Sequence, residues 1–236
     1  MTAIKRQVIA MGGGGFSMEP ENPLLDQYVI KQAGKPRPSV CFFPHATDDA
    51  VRYTFNFYNA FTRLEARPTY LSLFTPPTAD LESFILEQDI IYVGGGNTKS
   101  MLALWREWKL DELLFKAYQQ GVVLAGISAG ANCWFQECST DSIPGQLTVL
   151  PCLGILKGSY CPHYDGERER RPSLHKLIGE QKMMAGYAAD DGAAVHFIDD
   201  VLSHAVSSRP TAKAYKVYSA NGRVVEEKIE TRYLGN

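Results

Sequence analysis

Three things are scarce in this 236-residue sequence: cysteine, an excess of charge of one sign, and long apolar runs. The five cysteines are an odd number and include no Cys-x-x-Cys pair, which argues against a disulfide framework. Because 24 Lys and Arg oppose 26 Asp and Glu, the net charge of -2 gives no overall basic field for nucleic acid or anionic lipid. No apolar run approaches the roughly 20 residues that cross a bilayer.

Further absences narrow the class of protein. The amino-terminal segment has no apolar core and cleavage site of a signal peptide, so we expect a cytoplasmic protein. Cys138, Cys161 and His163 are conceivable zinc ligands, but their spacing fits no common zinc pattern, and we expect neither metal nor cofactor. A hydrophobic content of 45% is typical of a globular chain, and with no linker or repeat in view we expect one catalytic domain over residues 1–236.

Strand-like and helix-like segments alternate through the first half of the chain. Apolar runs predict strands, and helical spacing predicts helices between them. The predicted strands cover residues 7–11, 39–43, 69–73, 90–93 and 122–126, and the predicted helices cover 22–32, 50–64, 80–86, 98–108 and 111–119. The pattern indicates an α/β fold with a mostly parallel, doubly wound sheet. Short strands after residue 180 predict antiparallel strands at the carboxyl-terminal edge of that sheet.

Two glycine-rich turns follow predicted strands. Residues 12–15 are four glycines that match neither a dinucleotide fingerprint nor a P-loop, so a strand-end turn near a cleft is favoured over a phosphate cradle. Residues 94–98 (Gly-Gly-Gly-Asn-Thr) lie between a strand and a helix, which either Asn97 or Thr98 would cap. Backbone N–H groups of such a turn can face a developing oxyanion.

The strongest motif is Gly-Ile-Ser-Ala-Gly at residues 126–130, after a buried strand and before an apolar helical stretch at 131–135. This is the Gly-x-Ser-x-Gly nucleophile elbow in the strand–turn–helix setting that it needs, and it predicts Ser128 as a nucleophile. A serine nucleophile requires a base. His163 and His45 both follow extended segments and stay open as candidates, whereas His175, His196 and His204 lie in patterns typical of structural residues.

At these motifs the chain resembles the peptidase E family of serine peptidases, which includes aspartyl dipeptidase and, more distantly, cyanophycinase. The resemblance is carried by residues 94–98, by Gly-Ile-Ser-Ala-Gly-Ala-Asn at 126–132 and by Pro-His-Tyr at 162–164. It implies a fold like that of class I glutamine amidotransferases, with serine in place of their cysteine. It also implies Ser128 as nucleophile, His163 as base, and the Gly96 and Ala129 amides as the oxyanion hole.

The resemblance leaves the third member of the triad open. The family's acid has been placed some fifteen residues after the serine, which favours Asp141, although the segment is one residue shorter here. Asp191 is the second candidate because it matches a family acid that precedes a glycine, and Glu137 is the third. Either of the first two could orient His163.

The expected substrate is a short peptide. The family resemblance makes Arg170 the match for an arginine that reads an N-terminal aspartate, although the loop after His163 is shorter here, and Asn97 is the second predicted substrate-binding residue. We therefore expect a serine dipeptidase or exopeptidase, with N-terminal aspartate as one candidate preference, acting as a monomer or homodimer. The alternatives are a carboxylester hydrolase and a non-catalytic amidotransferase-like binding domain.

Overall fold

A computed structural model describes residues 4–235. Fourteen strands and eight helices are described. The strands are β1 (Gln7–Met11), β2 (Ser39–Phe43), β3 (Arg67–Tyr70), β4 (Ile90–Val93), β5 (Val123–Ile127), β6 (Phe135–Thr140), β7 (Thr148–Pro151), β8 (Leu156–Cys161), β9 (Gly186–Ala189), β10 (Ala193–Ile198), β11 (Val201–Ser207), β12 (Ala214–Ala220), β13 (Arg223–Ile229) and β14 (Thr231–Tyr233). The helices are α1 (Gly15–Met18), α2 (Leu24–Lys31), α3 (Ala50–Arg63), α4 (Leu81–Leu86), α5 (Thr98–Glu107), α6 (Leu110–Gln119), α7 (Ala129–Asn132) and α8 (Arg170–Gly179).

The strands form two sheets. The larger has eight strands in the order β14-β11-β10-β1-β5-β4-β2-β3, and the smaller has six in the order β13-β12-β9-β8-β6-β7. Strands β1 to β5 are parallel to one another, and β10 runs antiparallel against β1. The predicted α/β class with a mostly parallel sheet is therefore confirmed.

Two local predictions differ from the structure. Of the late strands, β10 and β11 do extend the main sheet, but β9, β12 and β13 lie in the smaller sheet, because their partners are β8 and one another rather than β1. The apolar stretch at 131–135 is not one helix. Helix α7 ends at Asn132, and Phe135 begins β6, where it packs in a parallel stack on Tyr160 of β8.

Both faces of the main sheet are buried, which explains the apolar, weakly alternating strands. Successive side chains of β1 enter different cores: Val8 and Ala10 face one core, and Ile9 and Met11 face the other. Helices α1, α2 and α3 contribute side chains to the second core, and α5 and α6 contribute to the first. No helix among residues 4–235 is long and apolar enough to cross a membrane.

Candidate active site

Ser128 lies at a sharp turn between β5 and α7. Its backbone has φ 55° and ψ -113°, a region that a non-glycine residue adopts only at a cost. Flanking glycines allow the turn: a Cβ on Gly126 would lie 2.1 Å from the Gly130 carbonyl oxygen, and one on Gly130 would lie 2.2 Å from that of Val93. The short helix α7 therefore lies too close to β5 for a side chain at Gly126, and too close to β4 for a side chain at Gly130.

The imidazole of His163 joins two side chains. Its Nε2 lies 2.8 Å from Ser128 Oγ, and its Nδ1 lies 2.6 Å from Asp191 Oδ1. The side chains of His163 and Asp191 are only 12% and 13% exposed, so water screens their interaction weakly. His163 follows β8 and Pro162, and its backbone has φ 51°. Its backbone N–H donates to the Gly12 carbonyl oxygen at 3.2 Å. The two ring nitrogens are thus both engaged, one by a hydroxyl and one by a carboxylate.

The structure brings Asp191, and neither Asp141 nor Glu137, to His163. Asp191 follows β9, and its own N–H donates to Asp165 Oδ1 at 2.8 Å. Asp141, which the sequence placed first, has a side chain that is 65% exposed and lies 3.3 Å from Arg170 Nη2. Glu137 accepts a hydrogen bond from the backbone of Met184. Because Asp191 already holds Nδ1, no free ring nitrogen is left for the other two carboxylates.

Gly13, in the run of four glycines after β1, lies directly against the side chains of Asp191 and His163. A Cβ on Gly13 would lie 1.9 Å from Asp191 Oδ1 and 3.0 Å from His163 Nδ1. The Gly13 carbonyl oxygen accepts the Gly192 N–H at 2.9 Å, which ties the turn to the segment that carries Asp191. The turn at residues 12–15 thus leaves space for the Asp191 carboxylate and the His163 imidazole, because Gly13 has no side chain.

The second glycine turn lies against Ser128. A Cβ on Gly95 would come within 3.3 Å of Ser128 Cβ, and one on Gly96 (φ 134°) would lie 2.2 Å from the Ala46 carbonyl oxygen. The Gly95 N–H donates to Tyr53 Oη at 3.1 Å. Within residues 4–235, the Gly96 N–H has no hydrogen-bond acceptor. The Ala129 N–H begins α7, where an amide has no intrahelical partner, so the two predicted oxyanion donors are available.

The two predicted substrate-binding side chains bond mainly to the protein. Asn97 Oδ1 accepts the Ser100 N–H at 2.9 Å and caps α5, while its Nδ2 donates to the Ser142 carbonyl oxygen at 3.0 Å. The Arg170 side chain is 3% exposed. Its Nε donates to Glu167 at 2.6 Å, and its Nη1 to the carbonyl oxygen of Ser139 at 3.2 Å.

The other histidines have structural partners. His45 Nδ1 accepts the Trp105 indole N–H at 2.9 Å, so its Nε2–H donates to the Leu71 carbonyl oxygen at 2.9 Å. Burial lowers the pKa of His45 to about 4, which keeps the ring neutral. His196 and His204 both contact the Tyr28 hydroxyl. His45, the second candidate base from the sequence, is therefore fully bonded elsewhere.

Within the described residues, no group of three or more His, Cys, Asp or Glu side chains is arranged to hold a metal ion. The nearest sulfur neighbour of Cys138 is Cys152 Sγ at 3.5 Å, and burial raises the pKa of Cys161 to about 12. The pKa of Cys138 is raised as well, by its contact with Cys152 and by burial, so Cys138 and Cys161 are protonated at neutral pH and are poor ligands in that form.

A serine hydroxyl bonded to an imidazole, which a carboxylate orients from behind, is the arrangement that serine hydrolases use to activate their nucleophile. In this α/β fold, which is like that of class I glutamine amidotransferases, it defines a serine-type hydrolase. A family model, Peptidase family S51, matches residues 8–204, and the chain belongs to that family.

Known proteins agree with this assignment. The chain is 56% identical over 230 residues to "Uncharacterized peptidase YgaJ" of Bacillus subtilis, covering 98% of this chain and all of the relative. It is 28% identical over 188 residues to Peptidase E of Actinobacillus pleuropneumoniae, covering 74% and 76% of the two chains. A solved peptidase from an acI-B1 Actinobacterium shares its fold with a TM-score of 0.70 at 15% identity, over 99% and 96% of the chains. A Peptidase E-like protein from Listeria monocytogenes gives a TM-score of 0.61 at 19% identity, over 84% and 96%.

Proposed function

We propose that this peptidase hydrolyses short peptides, as a dipeptidase or exopeptidase, through an acyl-enzyme on Ser128. The single observation that carries the proposal is the pair of contacts made by His163, to Ser128 Oγ at 2.8 Å and to Asp191 Oδ1 at 2.6 Å. Both distances lie within hydrogen-bond reach for a nucleophile, its base and the group that orients the base.

In the first half of the reaction, Ser128 Oγ attacks the scissile carbonyl carbon while His163 Nε2 takes the hydroxyl proton. The Gly96 and Ala129 N–H groups donate to the oxyanion that forms. When the C–N bond breaks, His163 Nε2 returns the proton to the leaving amine.

In the second half, a water molecule attacks the acyl carbon while His163 Nε2 takes its proton. His163 Nε2 then returns that proton to Ser128 Oγ as the ester bond breaks, which releases the acid product and free Ser128. Asp191 accepts the Nδ1–H throughout, which fixes the tautomer with Nε2 facing Ser128 and stabilises the imidazolium that forms in each half.

The aspartate preference expected from the family resemblance receives less support. Arg170 is almost fully buried and already bonds Glu167, Asp141 and the Ser139 carbonyl oxygen. A guanidinium engaged in this way is better suited to joining the segment after His163 to the segment after β6 than to reading a substrate carboxylate. We therefore propose a serine peptidase in which Arg170 supports the site from behind.

The test is covalent labelling of Ser128 by a fluorophosphonate, followed by a dipeptide library assay. We expect the wild type to label, and Ser128→Ala to remain folded, lose the label and lose about 10³- to 10⁶-fold in kcat. Ser203→Ala on β11 is the matched control, which should label and turn over normally. Labelling without peptide hydrolysis but with ester turnover would favour the carboxylester hydrolase, and no labelling of a folded protein would favour a binding domain.

The organisation as one catalytic domain, the cytoplasmic location and the choice between monomer and homodimer stay predictions from the sequence. Size-exclusion chromatography with light scattering measures the last of these directly.

A further inference from the structure

A cavity of about 310 Å³ lies beside the loops that follow β2 and β3. Ser128 follows β5, and β2, β3, β4 and β5 are parallel neighbours, so the cavity and the serine lie at the same edge of the main sheet. Ligands of open α/β sheets bind outside the carboxyl ends of the strands. The mechanism above makes no use of this cavity.

The segment of residues 45–47 lies between the cavity and the glycine turn at residues 94–98, which carries the proposed oxyanion donor Gly96. His45 and Thr47 line the cavity, and the residue between them, Ala46, packs its carbonyl oxygen against the turn. That oxygen accepts the Asn97 N–H at 2.7 Å and lies too close to Gly96 for any side chain there. Adjacent extended segments lie about 5 Å apart, and a peptide spans about 3.4 Å per residue. A side chain one or two residues from the scissile carbonyl can therefore reach the cavity.

The lining of the cavity determines which chemistry it accepts. Carbon-rich walls come from Pro44, Ala50, Val51, Leu73 and Phe74, and hydroxyl groups of threonine and serine complete them. None of the lining residues is Asp, Glu, Lys or Arg, and both ring nitrogens of His45 are already bonded. A charged side chain entering here would lose its hydration without finding a partner, whereas an aliphatic or aromatic one would lose only contact with water.

The mouth of the cavity carries the most exposed large hydrophobic side chains of the described residues. Phe74 is 88% exposed and Val51 is 86% exposed, and Phe55 lies one helical turn beyond Val51 on α3. Exposed apolar groups that cluster in this way mark a surface that binds something apolar. These side chains are continuous with the cavity, and the cavity lies close to the glycine turn at residues 94–98. Both facts favour part of the peptide substrate as the occupant.

We propose that this cavity, with Val51 and Phe74 at its mouth, is a subsite for an uncharged apolar side chain of the peptide substrate. The inference rests on the proposed function, and it predicts a preference for peptides that carry leucine or phenylalanine next to the scissile bond, rather than for acidic peptides. We expect the subsite to lower KM more than it raises kcat, because it holds a side chain rather than the reacting atoms and so contacts ground state and transition state alike.

The experiment measures kcat and KM for alanine dipeptides and tripeptides in which one residue at a time becomes Leu, Phe or Asp. At one position, Leu and Phe should raise kcat/KM about 10- to 100-fold over Asp, as expected for burying one such side chain. Val51→Asp should abolish this preference, by lowering kcat/KM for the Leu and Phe peptides more than for the all-alanine peptides. Val201→Asp is the matched control, since Val201 is an exposed valine (67%) on β11 that does not line the cavity, and it should keep the preference.

A binding measurement separates failure of the subsite from failure of the proposed function. In calorimetry on folded Ser128→Ala protein, the apolar peptide should bind at least tenfold more tightly than its alanine counterpart, and adding Val51→Asp should remove the difference. Equal effects of Val51→Asp on every peptide, or no apolar preference at any position, would overturn the subsite even if Ser128 labels normally. A change in oligomeric mass with Val51→Asp and unchanged specificity would instead make this surface an interface between copies of the chain, and would also overturn it.

Discussion

Replacing Asp191 by Asn provides the sharpest test of the proposed triad. The amide keeps the size of the carboxylate, but it carries no charge and can present N–H instead of oxygen to His163 Nδ1, which lies 2.6 Å from Asp191 Oδ1. The imidazolium formed during proton transfer then loses its counter-charge, and the ring is free to adopt the wrong tautomer. Both consequences act on the transition state, so we expect kcat to fall and KM to change little.

The size of the effect follows from the geometry. Two unit charges whose centres are about 4 Å apart interact by about 4 kcal/mol at an effective dielectric constant of about 20, which suits a pair as buried as this one. At about 1.4 kcal/mol per factor of ten, the lost interaction alone costs about 10³-fold in kcat, and the wrong tautomer brings the loss toward about 10⁴-fold. Asp141→Asn is the matched control, because Asp141 contacts Arg170 and not His163, and it should cost less than about tenfold.

The assay is steady-state turnover of a cleavable dipeptide, with the melting temperature measured for each variant so that unfolded protein is not mistaken for inactive protein. If Asp191→Asn melts normally and retains a tenth of the wild-type kcat, the assignment of Asp191 to the triad is refuted. A loss of about 10³-fold with Asn at position 141 would restore the acid that the sequence placed first.

Three further predictions test the surroundings of the site. Gly13→Ala places a methyl group 1.9 Å from Asp191 Oδ1 and must displace the carboxylate, so kcat should fall at least about 10²-fold in a protein that circular dichroism shows to be folded. Unchanged turnover would show that the backbone at residue 13 can shift without moving Asp191. Arg170→Ala should change kcat/KM for Asp-Leu and Ala-Leu by similar factors, because the guanidinium is hydrogen-bonded to Glu167 and to the Ser139 carbonyl oxygen. A loss confined to Asp-Leu would instead support Arg170 as the residue that binds an N-terminal aspartate. Burial raises the pKa of Asp26 to about 7, so between about pH 4 and 7 the folded state binds more protons than the unfolded state. The free energy of unfolding should therefore fall as the pH rises through that window, and Asp26 should contribute up to about 4 kcal/mol to the fall. Asp26→Asn should remove that slope in urea denaturation at pH 5 and pH 7.5, and an unchanged difference between the two pH values would contradict the assignment.

The parts of the fold that the sequence predicts are those fixed by local patterns. Strands β1, β2 and β4 begin and end at the residues predicted, because each is an apolar run closed by glycine or proline. The turn at Ser128 is predicted for a related reason, since residues 126–130 contain both the strain and the glycines that permit it. The sequence does not predict the smaller sheet, because no local pattern shows that β9 pairs with β8 and β12 rather than with a strand of the main sheet. Short segments such as β6 also give no period long enough to identify.

The position of Asp191 beside His163 depends on a contact between residues distant in the chain, Gly13 and Asp191. Strand β8 leads to His163, and it lies between β6 and β9, which both run parallel to it. Asp141 follows β6 and Asp191 follows β9, so the two carboxylates flank the histidine from opposite sides. Only Asp191 also pairs with Gly13 at the end of β1, and this contact turns it toward the main sheet. No pattern within either segment could have revealed that difference.

The end of β1 explains why the three side chains meet at all. Consecutive carbonyl oxygens of residues 11–13 accept the N–H groups of Ser128 at 3.1 Å, His163 at 3.2 Å and Gly192 at 2.9 Å, and Gly192 is the neighbour of Asp191. These three segments come from β5 and from the loops after β8 and β9, in two different sheets. Because Ser128 and His163 both have φ near +50°, each needs its surroundings to hold a strained backbone, and a rigid buried strand does so better than a loop. The glycines that follow this strand give no motif of their own, yet they allow one strand end to hold Ser128, His163 and the segment of Asp191 at adjacent positions.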